Sequence, residues 1–367
     1  MKNVHVAPSA YSHEVDYLIV GGGLAGCILT WVLLKRGLRC LLLDVPNMSN
    51  ASSISAGIIN PISGSRFSPL VEHDTVLAAA LSQYASLEKH FGCSLVRAVP
   101  TLRLFASPRE LEWWFTKRAA ELTFAQYCPA ESIDIYNANY GGIRYTAWHL
   151  NTQRLLESIR EFFCRDGILR EQMCTDANLS FAEHSIIYSS QTLLVHARRI
   201  IFCNGWNVYR HAFWSTLSLS PAKGEILTVE SPVQVSELVI CNGVFVLPLE
   251  QQGTIQRLRV GATYSWDRLD THPTPHVAVE LLNKAEAMTN VPMTLVQHDA
   301  GVRPSSRDRK PIIGMHPSNK CIAVFSGFGS KGAAYVPYCA ALLVQHLEEH
   351  QPLPEWCALA RWKEWRG

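Results

Sequence analysis

The chain predicts an α/β fold: a unit of parallel strands and crossover helices, interleaved with an α+β unit built on an antiparallel sheet. Three observations carry this. Residues 16–44 read strand, glycine turn, helix, strand and acid. From residue 185 the hydrophobic period changes to two. A strand, a glycine loop and a helix then return at 321–347, so the first unit is completed by residues far from its start.

Length and composition bound the problem. A chain of 367 residues has room for about two average domains. It buries enough surface to need neither disulfide staples nor a structural metal. Hydrophobic residues at 48% and charged residues at 17% exclude disorder, collagen and coiled coil as the main theme. Lys plus Arg number 33 against 31 Asp plus Glu, a net charge of +2, whereas a nucleic-acid footprint would show a clustered basic excess. The densest cationic stretch, Arg303 to Lys310, contains Asp308. Eleven scattered cysteines, none at Cys-x-x-Cys spacing, read as buried free thiols in a reducing compartment. Met1 to Asp16 lacks the pattern of a secretory signal, and the apolar run from Leu24 is broken by Lys35, Arg36 and Arg39. A cytoplasmic protein is expected.

The first element, Asp16 to Val20, is a short apolar run ending in Gly21-Gly22-Gly23-Leu24-Ala25-Gly26, which matches G-x-G-x-x-G. A helical pattern extends from Ala25 to Arg36, stopped by Gly37, and a second strand, Cys40 to Leu43, ends at Asp44. Each part has a physical job. Gly21 permits the tight turn, Gly23 lets a pyrophosphate approach the backbone, and Gly26 lets helix and strand pack closely. The helix start offers free N–H groups to phosphate, and Asp44 is placed to accept from ribose hydroxyls. This is a Rossmann-type dinucleotide site. The fingerprint alone leaves NAD and FAD open, since both carry the same ADP half.

After Asp44 comes not another βα unit but a loop of small residues, Ser49 to Gly64, suited to run along an extended ligand. Leu77, Leu81, Tyr84, Leu87 and Phe91 then recur at helical spacing up to Gly92. Ser107-Pro108 opens a helix through Lys117, and Asn151 caps a third, with Leu155, Ile159 and Phe162 or Phe163 on its face. Ser185 to Ser190 and Leu193 to Phe202 read as a hairpin ending at Cys203-Asn204-Gly205-Trp206. Gly224 to Glu230, Leu238 to Leu247 and Gln256 to Tyr264 read as antiparallel strands, and 277–288 as a helix. After a strand, Cys321 to Phe325, the loop Gly327-Phe328-Gly329-Ser330-Lys331-Gly332 formally repeats G-x-G-x-x-G. Its helix leads only to Gln351-Pro352-Leu353-Pro354, with no second strand or acid, so a second dinucleotide unit is not expected. Either it is a plain tight turn, or its N–H groups face an anion such as reduced flavin.

Taken in order, these segments resemble the D-amino-acid oxidase superfamily, in its glycine oxidase and sarcosine oxidase branch. The 16–44 unit is similar to that family's FAD fingerprint, and Ser53-Ile54-Ser55-Ala56-Gly57-Ile58 to the loop that reaches the flavin. Phe202 to Trp206, Pro221-Ala222-Lys223-Gly224-Glu225, Gly301-Val302-Arg303-Pro304, Asp308 to Gly314 and Gly327 to Gly332 match later segments. The resemblance implies an FAD-binding domain from 14–92, 150–210 and 296–350, a substrate domain from 93–149 and 211–295, and a tail at 351–367. It implies one non-covalent FAD, because no cysteine lies between 242 and 320 where sarcosine oxidases attach theirs. The implied cofactor set is Gly21, Gly23, Leu24, Ala25, Gly26, Asp44, Ser52, Ser53, Ser55, Ala56, Gly57, Ile58, Met173, Cys203, Asn204, Gly205, Trp206, Arg303 and Gly327 to Gly332. The loop Asn60 to Phe67 departs from the family, and Ser330 stands where glycine oxidase has an arginine.

The implied chemistry is hydride transfer from the carbon bearing an amine to flavin N5, hydrolysis of the imine, and reoxidation of the flavin by oxygen or another acceptor. The substrate is then glycine, sarcosine or a D-amino acid. Alternatives are an oxidase domain acting on a modified tRNA base, or a flavin-bound subunit without catalysis. Arg303 is expected to hold a substrate carboxylate through its bidentate fork, against a surface pair with Asp308. Lys331 faces the flavin or solvent. Arg259 stands where sarcosine oxidases place a flavin-side lysine, or is an exposed strand residue. Tyr264 and Tyr145 close over substrate or belong to the core. His149 lacks any partner at ligand spacing, and no metal is expected. Neither nucleic acid nor membrane is favoured as a partner, and a homo-oligomer is compatible with these features.

Overall fold

A computed structural model describes residues 11–45, 51–133 and 138–362. Ser49 and Asn50 of the expected ligand loop lie outside the described residues. Two compact units share the chain: residues up to 53, 153–221 and from 303 form one, and 54–152 with 222–302 form the other.

The first unit is organised by five parallel strands in the order Leu169–Glu171, Cys40–Asp44, Tyr11–Val20, Leu193–Phe202 and Asn319–Ser326. Their carboxyl-terminal stretches, 17–20, 40–43, 200–202 and 321–325, are apolar and buried because a parallel sheet is covered on both faces. Helix Leu24–Lys35 and helix Gly332–Glu349 pack together on it. Ile186–Ser189 and Leu193–Phe202 form the expected hairpin. Helix Thr152–Arg165 buries Leu155, Ile159 and Phe163, whereas Phe162 is only half-buried.

The second unit is a nine-stranded sheet, antiparallel among its described pairings except where Val239–Asn242 runs parallel to Val96–Leu104. Helix Pro275–Thr289 covers one face through Ala278, Leu281, Ala285 and Met288. Helix His73–Phe91 ends at Gly92 in a left-handed conformation (φ +65°). Helix Pro108–Lys117 starts as its sequence requires, with Ser107 Oγ accepting the Glu110 N–H at 3.3 Å.

Three readings change. Leu238 to Leu247 is not one strand but a hairpin, Val239–Asn242 and Val244–Gln252, folded about Gly243 at φ +71°. Asn242-Gly243 is the turn signal that should have split it. The loop after Asp44 is partly strand: Ile58 and Ile59 pair with His149 and Trp148. Gly57 is needed there because a Cβ would overlap the Leu150 carbonyl, on a backbone at φ +65°. That pairing places 54–92 in the second compact unit, so the first unit breaks at 53 where 92 was expected.

Candidate functional site

In the first unit, three turns gather at the carboxyl ends of adjacent parallel strands, where open α/β sheets bind ligands. Gly21 to Gly26 follows Tyr11–Val20, Cys203 to Trp206 follows Leu193–Phe202, and Gly327 to Gly332 follows Asn319–Ser326. They are mutually tight. A Cβ on Gly26 would overlap the Gly21 carbonyl, and one on Gly21 would meet Asn204 Cα at 2.6 Å. Ser326 Oγ donates to the Gly205 carbonyl at 3.2 Å, and a Cβ on Gly332 would lie 3.9 Å from Leu24 Cδ2. Trp206 is half-buried. Burial pushes the Cys27 thiol up to about 12 and raises that of Cys203 as well, so both stay protonated and inert.

Gly23 differs from its neighbours. It is the N-cap of helix Leu24–Lys35, whose first turn carries no acid, and a Cβ on it would meet only Ser52 Oγ at 3.2 Å. Ser52 Oγ accepts the Leu24 N–H at 3.1 Å. Ala25 and Gly23 are half-buried, Ser53 is exposed, and the helix end presents a positive partial charge, with the Leu24 N–H taken by Ser52 and no side-chain cap from Gly23. This is an anion cradle that fits a pyrophosphate. Asn204 Oδ1 is buried there without a partner, while its amide nitrogen lies 3.2 Å from His211 Nε2.

Asp44 is held by a residue the sequence reading missed. Arg160, on helix Thr152–Arg165, pairs with Asp44 Oδ2 and donates to the Gly22 carbonyl at 3.2 Å. Met173 is exposed just beyond strand Leu169–Glu171, which pairs Glu171 with Asp44.

Around the C-terminal turn, Gly329 N–H donates to the Pro304 carbonyl at 3.1 Å, and Ser305 bridges to Phe328. Arg303, half-buried, is thereby tethered beside that turn at the end of strand Thr294–Arg303. Asp308 does not compete for it: its carboxylate is taken by Arg361 at 2.8 Å. Arg307 and Arg309 are exposed, as expected of a polar loop. Ser330 is exposed, and burial, then the Arg309 charge, holds the half-buried Lys331 ammonium below the usual lysine range.

The remaining candidates lie in the second unit. Ser55 is exposed, its Oγ 3.1 Å from Thr152 Oγ1, while Ala56 and Ile58 are half-buried. Arg259 is no exposed strand residue. Its side chain is 15% exposed, bonds Thr228 Oγ1 at 3.2 Å and the Ile54 carbonyl, and lies 3.6 Å from Asp299. Burial lowers its affinity for the proton and Asp299 opposes this. Tyr145 belongs to the core, and burial raises its hydroxyl pKa. Tyr264 is exposed and stacks on Trp266 with centroids 6.2 Å apart. Its loop is anchored by Lys223, buried, which donates to Asp270 Oδ1 at 2.7 Å and the His272 carbonyl at 2.6 Å. His149 is held neutral, its pKa lowered to about 4 by burial and then by Arg97 and Arg259.

A parallel sheet with a glycine-rich turn and an acid ending the second strand defines a dinucleotide-binding protein, and comparison with known proteins is specific. The model of the family described as FAD dependent oxidoreductase matches residues 16–346, so the chain belongs to that family and FAD is its cofactor. It is 24% identical over 377 aligned residues to glycine oxidase of Geobacillus kaustophilus, covering 93% of this chain and 94% of that one. It is 23% identical to the tRNA 5-methylaminomethyl-2-thiouridine biosynthesis bifunctional protein MnmC of Acinetobacter baylyi, of whose length it spans 53%. The crystal structure of the Geobacillus glycine oxidase superposes with a TM-score of 0.78 at 22% identity, covering 93% of this chain and 96% of that one. Among the described residues no helix is long and apolar enough to cross a membrane.

Proposed function

We propose that the chain is a cytoplasmic enzyme that oxidises the C–N bond of a small amine or amino acid, of the glycine, sarcosine or D-amino acid class, with non-covalent FAD. The observation that supports this reading is the backbone tether next to Arg303, Gly329 N–H to the Pro304 carbonyl and Ser305 to Phe328, which holds this stretch at the C-terminal glycine turn in the same unit as the anion cradle. The amides of Gly23 and Ala25 would hold the pyrophosphate, Asp44 the adenosine ribose, and the turns at 203–206 and 327–332 the rest of the cofactor. FAD would supply the acceptor for the hydride that leaves the carbon bearing nitrogen. Arg303 pairs with the substrate carboxylate and fixes that carbon's approach. Lys331 and the start of helix Gly332–Glu349 place positive charge where the reduced cofactor gains negative charge. Water then converts the released imine to a carbonyl and ammonia or a primary amine.

The test is anaerobic loss of oxidised-flavin absorbance against a panel of amines. Bleaching by a small amino acid supports the reading, and bleaching by none overturns it. The similarity to the Acinetobacter protein favours a second reading, action on an amine carried by a tRNA base. Bleaching by a modified nucleoside alone selects that one.

A further inference from the structure

Within the first unit, a buried histidine–carboxylate pair stands behind one of the cofactor turns and is left unused by the proposed reaction. His211, 3% exposed, joins the short turns Gly205–Arg210 and Ala212–Trp214, and its ring packs on Phe202 with centroids 4.4 Å apart. Its Nδ1 lies 2.7 Å from Asp176 Oδ1, and the other oxygen of that carboxylate accepts the Ala212 N–H at 2.7 Å. Its Nε2 lies 3.2 Å from the side-chain nitrogen of Asn204. All three residues belong to the same compact unit.

The chemistry of the partners fixes each proton in this relay. A carboxylate only accepts, so His211 Nδ1 donates to Asp176. An amide nitrogen only donates, so Nε2 is bare and accepts from Asn204 Nδ2. The amide is thereby held one way round, and its Oδ1 is buried with no hydrogen-bond partner among the described residues. A buried carbonyl oxygen is costly to leave unpaired, and folded proteins seldom do so. Asn204 opens the turn after strand Leu193–Phe202, and its Cα lies only 2.6 Å from where a Cβ on Gly21 would stand. The orphaned acceptor thus belongs to the residue that abuts the pyrophosphate turn, and FAD carries hydroxyl donors on either side of its pyrophosphate.

We propose that Asn204 Oδ1 accepts a hydroxyl of the bound cofactor, and that His211 and Asp176 are positioning residues that hold the amide in its accepting orientation. This requires the turn at 203–206 to line FAD and is independent of the substrate. The test is the FAD affinity of the apoprotein, read from flavin fluorescence. Asn204→Leu and His211→Leu should each weaken FAD at least tenfold, whereas His211→Gln, whose carbonyl can accept from Asn204, recovers most of the affinity. The double variant Asn204→Leu/His211→Leu should lose no more than Asn204→Leu alone, because His211 acts only through Asn204. The ¹⁵N resonances of His211 should show Nδ1 protonated and Nε2 bare. Asp176→Ala, at a half-buried position, frees that proton to move and should weaken FAD about threefold or more, which keeps the test open should His211→Leu fail to fold. Additive losses in the double variant, a His211→Gln as weak as His211→Leu, a proton on Nε2 in the wild type, or unchanged affinity in Asp176→Ala overturn the proposal and leave His211 as packing alone. Unchanged affinity in folded Asn204→Leu overturns it too, and removes the turn at 203–206 from the cofactor site as well. Titration with ADP locates the hydroxyl: equal losses for ADP and FAD select the ribose, and a loss for FAD alone selects the ribityl chain.

Discussion

The two glycine turns, Gly21 to Gly26 and Gly327 to Gly332, spell the same motif but are built for different contacts. In the first, glycines face backbone on two sides and open space on the third: Gly26 lies against Gly21, and Gly21 against Asn204, while Gly23 meets only a serine hydroxyl. Its helix begins directly at Leu24, and an acid clamped by Arg160 ends the next strand. In the second, a 3-10 turn over Gly329–Lys331 precedes the helix, Gly327 is pressed on Ile312, and Gly329 is bonded to the Pro304 carbonyl. The first turn is a cradle and the second a bracket that fixes Arg303. A motif of three glycines specifies close approach, and its surroundings decide what approaches.

The sharpest break of this contrast is at Gly23. Gly23→Val fills the one open side of the cradle, so FAD binding should be lost outright, with the protein folded but colourless and gaining no flavin absorbance on adding FAD. Full flavin content in that variant would show that the cradle holds something else. At the bracket the opposite split is expected. Arg303→Ala should keep its FAD but raise the apparent KM for an amino-acid substrate at least tenfold, since losing a buried charge-assisted pair costs roughly 2–5 kcal/mol. Unchanged kinetics in a flavin-replete variant refutes the assignment.

Arg160 tests whether the cradle needs its clamp. Arg160→Ala releases Asp44 from the only ion pair it makes among the described residues, so its carboxylate no longer has a fixed direction. FAD affinity, read from the fluorescence of released flavin, should fall about tenfold, or ~1.4 kcal/mol, with Arg160→Lys recovering part of it. Equal affinity for FAD in all three proteins removes Arg160 from the site.

Much of this contrast was legible in the sequence. Strand, turn, helix, strand and acid are local, each fixed by glycine, apolar period or cap within a few residues, so the 16–44 unit and the helix boundaries fell where expected. The strands Val96–Leu104 and Gly142–Leu150 went unread: Pro100 interrupts the first, but in the second buried Ile143, Tyr145 and Ala147 alternate with exposed Arg144 and Thr146, a strand signal that was there to be used. The contacts that complete the sites were hidden by distance along the chain. Arg160 is 116 residues from Asp44, and His211 is 35 from Asp176. Periodicity cannot reveal such pairs, which arise only once the sheets form.

The smallest effect is expected at Gly332, and it separates motif from mechanism. By position Gly332 corresponds to Gly26, where any side chain would overlap the Gly21 carbonyl. Gly332 instead has helical backbone angles, φ −56° and ψ −44°, and a Cβ there would reach Phe328 Cβ at 3.8 Å and Leu24 Cδ2 at 3.9 Å, ordinary contacts. No left-handed conformation and no close backbone approach demand glycine. Gly332→Ala should therefore retain FAD and raise stability slightly, by about 0.4–1 kcal/mol, because alanine reduces the freedom of the unfolded chain at a site it can occupy without strain. Gly26→Ala should lose both fold stability and FAD. Thermal unfolding and flavin content of the two variants side by side decide the matter: equal losses would mean that both turns are cradles, and the contrast between them would collapse.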